Sequence, residues 1–444
     1  EVKPCKMIGK TDKTPQLNMF QVPLTQFINH EHELCQLAEQ IDWDELERDF
    51  AGYYCEDNGR PSIPIRKIVG VLILKRVFNE SDETVVERWK ENPYWQFFSG
   101  EVNFQHDWPC DPTELVKFRK RVGESGMERI LKLSIDLFEE KEIQEKRVLV
   151  DSTVQEKNIT FPTDTKLQKK IVEKCRSIAE KEGIALRQSY TRTMKQLMID
   201  QRFRDHPKRR KKANAAARRI KTIAGRMVRD LERKMTSAQL QNYDHELQLF
   251  HRVLTQQRKD TNKVYSLHEP DVRCITNGKE AKKYEFGNKV SLVKTMKSGI
   301  IVGALSFKEN LYDADTLDPQ LQQVERLTGK LPEIAITDRG YRGKKRVLGV
   351  EILIPGKPKK RASNYEKQKA LKYFKARAGI EPVIGHVKHD HRMIINYLSG
   401  TQGDAMNTLL AAAGFNFKKM LRRIKAKIPS FSLFNKNNIS VFEF

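Results

Sequence analysis

Asp151 follows the apolar run Val148-Leu149-Val150, and Asp338 closes Ile334-Ala335-Ile336-Thr337. Short runs of β-branched and apolar residues read as buried strands. A carboxylate at the C-terminal edge of such a strand is costly unless it is paired, hydrogen-bonded or bound to a cation. Each aspartate is therefore either a cap or turn residue or part of a site. Glu381 is the third carboxylate of interest, with Arg377 four residues before it and Lys388 seven after. At about 100° per residue, Arg377, Glu381, Lys388 and Tyr373 fall on one helical stripe. Pro382 conflicts with a single helix there, since it disfavours helical geometry at Glu381 and removes a donor. A continuous helix would be kinked, or two helices meet at Glu381. The alternative for the stripe is a solvated face with i,i+4 pairing.

Other groups carry weaker signals. His386, His389 and His391 cluster with Asp390, but their spacing cannot put all three on one side of a helix, so a solvated or DNA-facing role is expected over a zinc site. Asp164 and Asp404 are extra acidic contacts or helix N-caps. No G-x4-G-K-[ST] loop is present, which argues against a nucleotide cofactor.

The elements that must hold these residues alternate in character. Residues 1–26 read as a loose arm and 27–140 as a helical domain. Within it, Asp111-Pro112-Thr113-Glu114 opens a helix over 112–122 that carries Lys117, Arg119, Lys120 and Arg121. That front is either a helix-turn-helix style DNA reader or an all-α packing or dimerisation domain. An α/β domain occupies 141–165 and 262–425, with a hairpin over 284–307, a helix over 315–327, a strand over 350–354 and helices over 366–378, 382–391 and 405–425. It is interrupted by a helical insertion, 166–261, expected as a helical hairpin with one packed stripe. Residues 426–444 form a tail.

Charge points to the partner. The chain has 444 residues with Lys+Arg 82 against Asp+Glu 58, a net charge of +24. Such a surplus attracts a polyanion and resists self-association. Residues 202–234 alone carry fourteen basic against three acidic residues, sharpest at Lys208-Arg209-Arg210-Lys211-Lys212, and phosphate contact is favoured there over a merely solvated face. No apolar run approaches the roughly 20 residues of a spanning helix, and the start lacks a signal-peptide stretch. The six cysteines form no C-x-x-C pair and read as reduced thiols, so a cytoplasmic protein without a membrane partner is expected.

Arg377-x3-Glu381-x6-Lys388 resembles the R-x3-E-x6-K part of the signature of DDE transposases of bacterial insertion sequences. The flanking Gly379-Ile380-Glu381-Pro382-Val383-Ile384-Gly385-His386-Val387-Lys388 is similar to the insertion-sequence-five group. So are Asp151-Ser152-Thr153-Val154-Gln155, Phe161-Pro162-Thr163-Asp164, Thr337-Asp338-Arg339-Gly340-Tyr341, Gly403-Asp404-Ala405-Met406-Asn407, and the front from Asp111 through Arg119. The resemblance runs from about Phe27 to Leu421. The broader signature has its tyrosine where Phe374 stands here, the tyrosine being Tyr373, and the long insertion lies between the two aspartates.

The resemblance implies a ribonuclease H-like catalytic core, so the expected fold is α/β with that core, an N-terminal all-α domain and the basic helical insertion. It implies Asp151, Asp338 and Glu381 as ligands of two Mg²⁺ ions, with Mn²⁺ able to substitute. By the resemblance Arg377 and Lys388 would hold phosphates near the scissile bond, and Tyr373, Arg339, Arg119 and Lys208–Lys212 are further candidate DNA contacts. The expected protein is a transposase that binds terminal inverted repeats, cleaves and joins double-stranded DNA, and works as a homodimer or larger assembly. Alternatives are a non-catalytic DNA-binding descendant and a metal-dependent endonuclease without strand transfer.

Overall fold

The computed structural model describes residues 7–9, 22–55, 61–257, 259–276, 283–356 and 363–428. Most of the expected arm and tail lies outside these described residues. The front comprises α1 (Glu33–Gln40), α2 (Trp43–Ala51), α3 (Ile65–Val77), α4 (Asp82–Glu91), α5 (Pro93–Phe98), α6 (Pro112–Asp136) and the short α7 (Glu140–Ile143). Polar caps start them: Asp42 accepts from the Glu45 amide, Ser81 forms a capping box with Thr84, and Asp111 accepts from the Thr113 amide. Gly123, at φ 62° and ψ −156°, breaks α6 one residue beyond the expected end of its first segment.

Strand β1 (Arg147–Lys157) leads into the insertion, α8 (Asp164–Lys181), α9 (Thr191–Asp200), α10 (Pro207–Lys234), α11 (Ser237–Asn242) and α12 (Asp244–Thr255). The chain returns through β2 (Arg273–Ile275), β3 (Glu285–Thr295), β4 (Ile301–Phe307), α13 (Leu317–Thr328), β5 (Ile334–Ile336), β6 (Arg346–Val347) and β7 (Val350–Leu353). It ends in α14 (Asn364–Ala378), α15 (Glu381–Asp390), β8 (Ile395–Asn396) and α16 (Gly400–Lys427). The sheet is mixed, in the order β2-β3-β1-β5-β7-β6, with β4 on β3 and β8 on β1. β1, β3 and β4 are antiparallel neighbours, while β5 runs parallel to both β1 and β7.

One hydrophobic core joins the front to the sheet. Val148, Val150, Leu292, Val302 and Ala335 from the strands pack with Leu72, Phe118 and Ile130 from the front and with Leu410 and Phe417 of α16. α3 is buried along almost its whole length from Ile65 to Val77, and α16 packs against α1, α3, α6 and β4. Buried polar bonds fix α16 in register: Asn407 donates to Gln155 on β1 at 2.7 Å and accepts from Arg76 of α3 at 2.8 Å. Asp404 accepts from Lys157 at 2.7 Å and from Asn396 at 2.6 Å. Its carboxyl is pushed up by burial, with Lys157 opposing the rise.

The insertion has a core of its own, formed by residues such as Leu167, Ile171, Ile220, Met227, Leu231, Leu247 and Phe250. It is a five-helix unit among the described residues rather than the expected hairpin. The added partners are α8 and α12, whose apolar stripes complete the face of α10. Asp164 is the first residue of α8 and accepts from Gln256 at 3.0 Å and Lys263 at 3.0 Å, so it ties the unit's two ends together.

Two expectations are corrected at this level. Arg119 is buried, 2% exposed, and forks onto Asp82 with bonds of 2.9 and 2.7 Å, beside Lys75 at 2.6 Å from the same carboxylate. Burial opposes ionisation of Asp82, but Arg119 and Lys75 outweigh it and hold the carboxyl well below the usual range. Arg119 fastens α6 to α3 and α4 and is not available to DNA. Cysteine usage also differs: Cys35, Cys110, Cys175 and Cys274 are free thiols, whereas Cys55 is disulfide-bonded. Among the described residues no helix is long and apolar enough to cross a membrane.

Candidate functional site

The parallel pairing of β1 with β5 brings the two aspartates together. Leu149 and Ile336 are the last paired residues, so Asp151 and Asp338, each two residues further on, both lie at the end of the β1–β5 ladder. β1 does not stop at Asp151, as the apolar run implied, but continues to Lys157 against β3. What ends near there is the pairing with β5, whose last pair is Leu149 with Ile336. Leu149 and Ile336 form a small apolar cluster with Tyr373 and Ile380. Ile380 is thereby pinned against the sheet, and the charge of the next residue, Glu381, is felt at Asp151. Two helices meet at this point: α14 ends at Ala378 and α15 starts at Glu381, with Pro382 in its first turn, where a missing amide costs nothing.

Electrostatics link the group. Burial, then the Asp338 charge, push the Asp151 carboxyl up to about 6, with Glu381 adding to the rise. The Ser152 amide, at 2.8 Å from Asp151 Oδ1, and the Arg377 guanidinium oppose it. Asp338 caps a 3-10 turn, Arg339–Tyr341, accepting from the Gly340 amide at 2.8 Å. Arg377 Nη2 donates to Glu381 Oε1. The donor set is all oxygen, as a hard divalent cation such as Mg²⁺ prefers. Among the described residues, no three His, Cys, Asp or Glu side chains are close enough as they stand to hold a metal ion; the Glu381 carboxylate is engaged by Arg377.

The remaining candidates separate by environment. Arg339 is exposed in the turn beside Asp338, and Lys388 is half-buried on α15. Tyr373 is a packing residue: it lies in the apolar cluster with the Arg147 guanidinium 5.6 Å from its ring centre. Tyr373 is buried whereas its neighbour Phe374 is exposed, so the stripe reading of Tyr373 as a DNA contact is corrected. In the basic cluster, Lys212 pairs with Asp200 at 2.8 Å and Arg209 lies over Phe203, while all five residues from Lys208 to Lys212 are exposed. His391 is not solvated. It is buried, its Nδ1 donates to the Arg76 carbonyl at 2.8 Å, and burial drives its pKa down to about 4. His386 pairs with Asp390 at 2.7 Å.

The residue that sequence reasoning missed is Asp313. It accepts from Ser152 Oγ at 2.8 Å and from Lys289 Nζ at 2.9 Å, bracing the segment next to Asp151. A methyl on Gly340 would lie 2.6 Å from Asp313 Oδ2 and 3.0 Å from Asp338 Oδ1, so glycine there lets the two carboxylates share one turn. Beneath them the Tyr341 ring is fully buried, and burial, then Asp151 and Asp313, raise its hydroxyl pKa. The sequence signal for Asp313 is slight, an acidic pair (Asp313, Asp315) after a strand, with nothing local to tie it to residues 152, 289 and 340.

Comparison with known proteins places this geometry in context. Residues 22–121 match the family described as a transposase domain (DUF772). A protein described as uncharacterized protein ORF8 in the nfe locus of Rhizobium meliloti is 41% identical over 202 residues, 45% of this chain and 94% of that protein. No solved structure matches the chain. With nearly all of that relative covered and the transposase domain in its front helices, the chain belongs to the same family as the Rhizobium meliloti ORF8 protein and is a transposase-like insertion-sequence protein.

Proposed function

We propose that the chain is a DDE-type transposase of the insertion-sequence-five kind, a metal-dependent DNA nuclease and strand transferase built on a ribonuclease H-like core. What supports this is the common end of the β1–β5 ladder at which Asp151 and Asp338 lie, with Ile380, the residue before Glu381, packed beside Leu149 and Ile336. The raised Asp151 carboxyl, to which Asp338 and Glu381 contribute and which Arg377 opposes, agrees with it. Asp151 feels two other carboxylates and one guanidinium at this strand end, and a carboxyl perturbed in this way is commonest at functional sites. The strand order β4-β3-β1-β5-β7, antiparallel on one side of β1 and parallel on the other, supports the core assignment.

In this reading Asp151, Asp338 and Glu381 hold two Mg²⁺ ions, or Mn²⁺ in their place, which would supply an activated attacking oxygen and stabilise the leaving one. Glu381 joins the aspartates when its carboxylate leaves Arg377, and Arg377 is then free to take a phosphate oxygen in a charge-assisted bond. Lys388 and Arg339 flank the same edge as further phosphate contacts. Asp313 keeps Ser152, and with it Asp151, in place. Lys208–Lys212 contact the DNA backbone, and two copies of the chain bring two ends together in the cytoplasm, at the nucleoid.

The test is cleavage and joining of a supercoiled plasmid carrying the element's ends, in Mg²⁺, by wild type beside Asp151→Ala, Asp338→Ala and Glu381→Ala. End-specific cutting with joined products, lost by at least about 10³-fold in all three variants while DNA binding persists, is the expected outcome. Cutting that survives Glu381→Ala would remove the third ligand. The engagement of Glu381 by Arg377 favours a second reading, a DNA-binding protein without catalysis. Binding without cutting by folded wild type under varied metals would establish that reading instead.

A further inference from the structure

α10 carries a line of cations that the fold does not use. Lys208, Lys211, Arg218, Arg226, Arg229 and Arg233 lie within about 80° of one another at about 100° per residue. They stand on the side away from the buried face formed by Ala213, Ala216, Ile220, Ile223, Met227 and Leu231. All six are exposed. Among the described residues only Arg233 is ion-paired, at 3.4 Å to Asp230. Elsewhere in the insertion some cations are paired locally, Lys169 with Glu173 and Lys212 with Asp200. Unpaired like charges three and four residues apart destabilise a helix by a few tenths of a kcal/mol per pair. This face is therefore held against self-repulsion with no packing gain in return, and its complement is a negative charge from outside the chain.

The shape of that charge follows from length. Lys208 to Arg233 spans roughly 37 Å at about 1.5 Å per residue, close to the roughly 34–36 Å of one turn of duplex DNA. A small anion would satisfy one or two of these residues; an extended polyanion satisfies the whole line. At its C-terminal end the line runs into a recess of about 990 Å³ whose lining includes Arg187, Tyr190, Arg226, Arg229 and Arg233. The lining also holds two carboxylates, and both are engaged: Asp230 accepts from the Arg187 amide at 3.0 Å and from Lys234 at 3.2 Å, and Glu232 pairs with His251 Nε2 at 2.5 Å, so its four arginines leave the recess net positive.

We propose that the outer face of α10 lies along duplex DNA over about one turn, its cations meeting phosphates where the strands pass beneath it, and that the arginine recess seats a phosphate at the end of this track. The interface extends well beyond Lys208–Lys212. This rests on the reading of the chain as one that acts on DNA. It differs from that reading in assigning the contact to the arginine half of α10, from Arg218 to Arg233.

The test is binding of full-length protein to a labelled duplex of about 40 base pairs without divalent metal, titrated between about 50 and 200 mM salt. Wild type is compared with a near variant (Lys208→Gln, Lys211→Gln) and a far variant (Arg218→Gln, Arg226→Gln, Arg229→Gln, Arg233→Gln). Each phosphate contact contributes about 0.9 to the slope of log K against log salt. The far variant should flatten the slope by roughly 3 to 4 and weaken binding at least about tenfold on every sequence, and the near variant should flatten it by roughly 2. Unchanged helicity and melting temperature show that the variants are folded. A far variant with wild-type affinity and slope overturns the track while leaving DNA action intact. Wild type that binds no duplex overturns both. Tighter binding of polyglutamate than of duplex overturns the proposal in favour of an acidic protein partner.

Discussion

Asp151 ionises against its surroundings. Burial and the neighbouring Asp338 favour the neutral acid, Glu381 adds to this, and only the Ser152 amide and Arg377 favour the charged form. With the folded pKa near 6 and an unfolded value near 3.9, the folded state binds the proton more tightly. The stabilising contribution is full below about pH 4 and is lost as pH rises through about 6, above which the ionised carboxylate is a net liability. Asp151→Asn keeps an oxygen for the Ser152 amide and removes the charge. It should stabilise the metal-free protein by about 1–2 kcal/mol at pH 7.5, with the gain closing toward pH 4. Urea unfolding in EDTA across that range checks this, and a variant no more stable than wild type at pH 7.5 would refute the crowding. The aspartates themselves could be read from the chain as carboxylates after apolar runs. Asp313 could not, because its partners Ser152 and Lys289 are 161 and 24 residues away.

At the scale of elements, a recognisable helix does not reveal which of its faces is buried. The helix start at Asp111-Pro112 was readable, and so was its cationic content, but Arg119 turns inward onto Asp82. Removing one partner of a buried pair leaves the other charge uncompensated, which costs about 3–5 kcal/mol. Asp82→Leu would strand both Arg119 and Lys75 and should lower stability by about that amount, whereas Arg119→Met, which leaves Asp82 its bond to Lys75, should cost less and leave the DNA affinity of the folded protein unchanged. Thermal unfolding with binding isotherms below the transition decides it. Lost affinity at full folding would return Arg119 to the DNA interface. The α14–α15 junction is the opposite case. Pro382 marks the break locally, since proline suits the first turn of a helix and not its interior, and the chain divides there.

For the whole molecule, the two cores determine what can stand alone. The front helices complete their core only with α16 and the sheet, so the 27–140 segment is a domain by sequence but not by packing. The insertion packs around its own residues, with its ends joined through Asp164. A fragment spanning residues 160–268 should fold by itself and melt cooperatively, whereas a 27–140 fragment should show little fixed tertiary structure. Near-ultraviolet circular dichroism and calorimetry of the two fragments provide the check. A cooperatively melting 27–140 fragment would contradict the shared core.

The chain by itself determined what depends on nearest neighbours: carboxylates after apolar runs, capped helix starts, a proline at a helix junction, and a dense basic helix between two parts of an α/β domain. Only the tertiary structure decided that Leu149 sits level with Ile336, that Tyr373, Arg119 and His391 face inward, and that Asp313 braces the Asp151 edge. The physical reason is that periodicity reports a face but not what covers it. Strand register, and the burial that raises or lowers a pKa, are set by residues far away in the chain. The charge line on α10 lies between these cases, since its spacing is local but its lack of partners is a property of the folded chain.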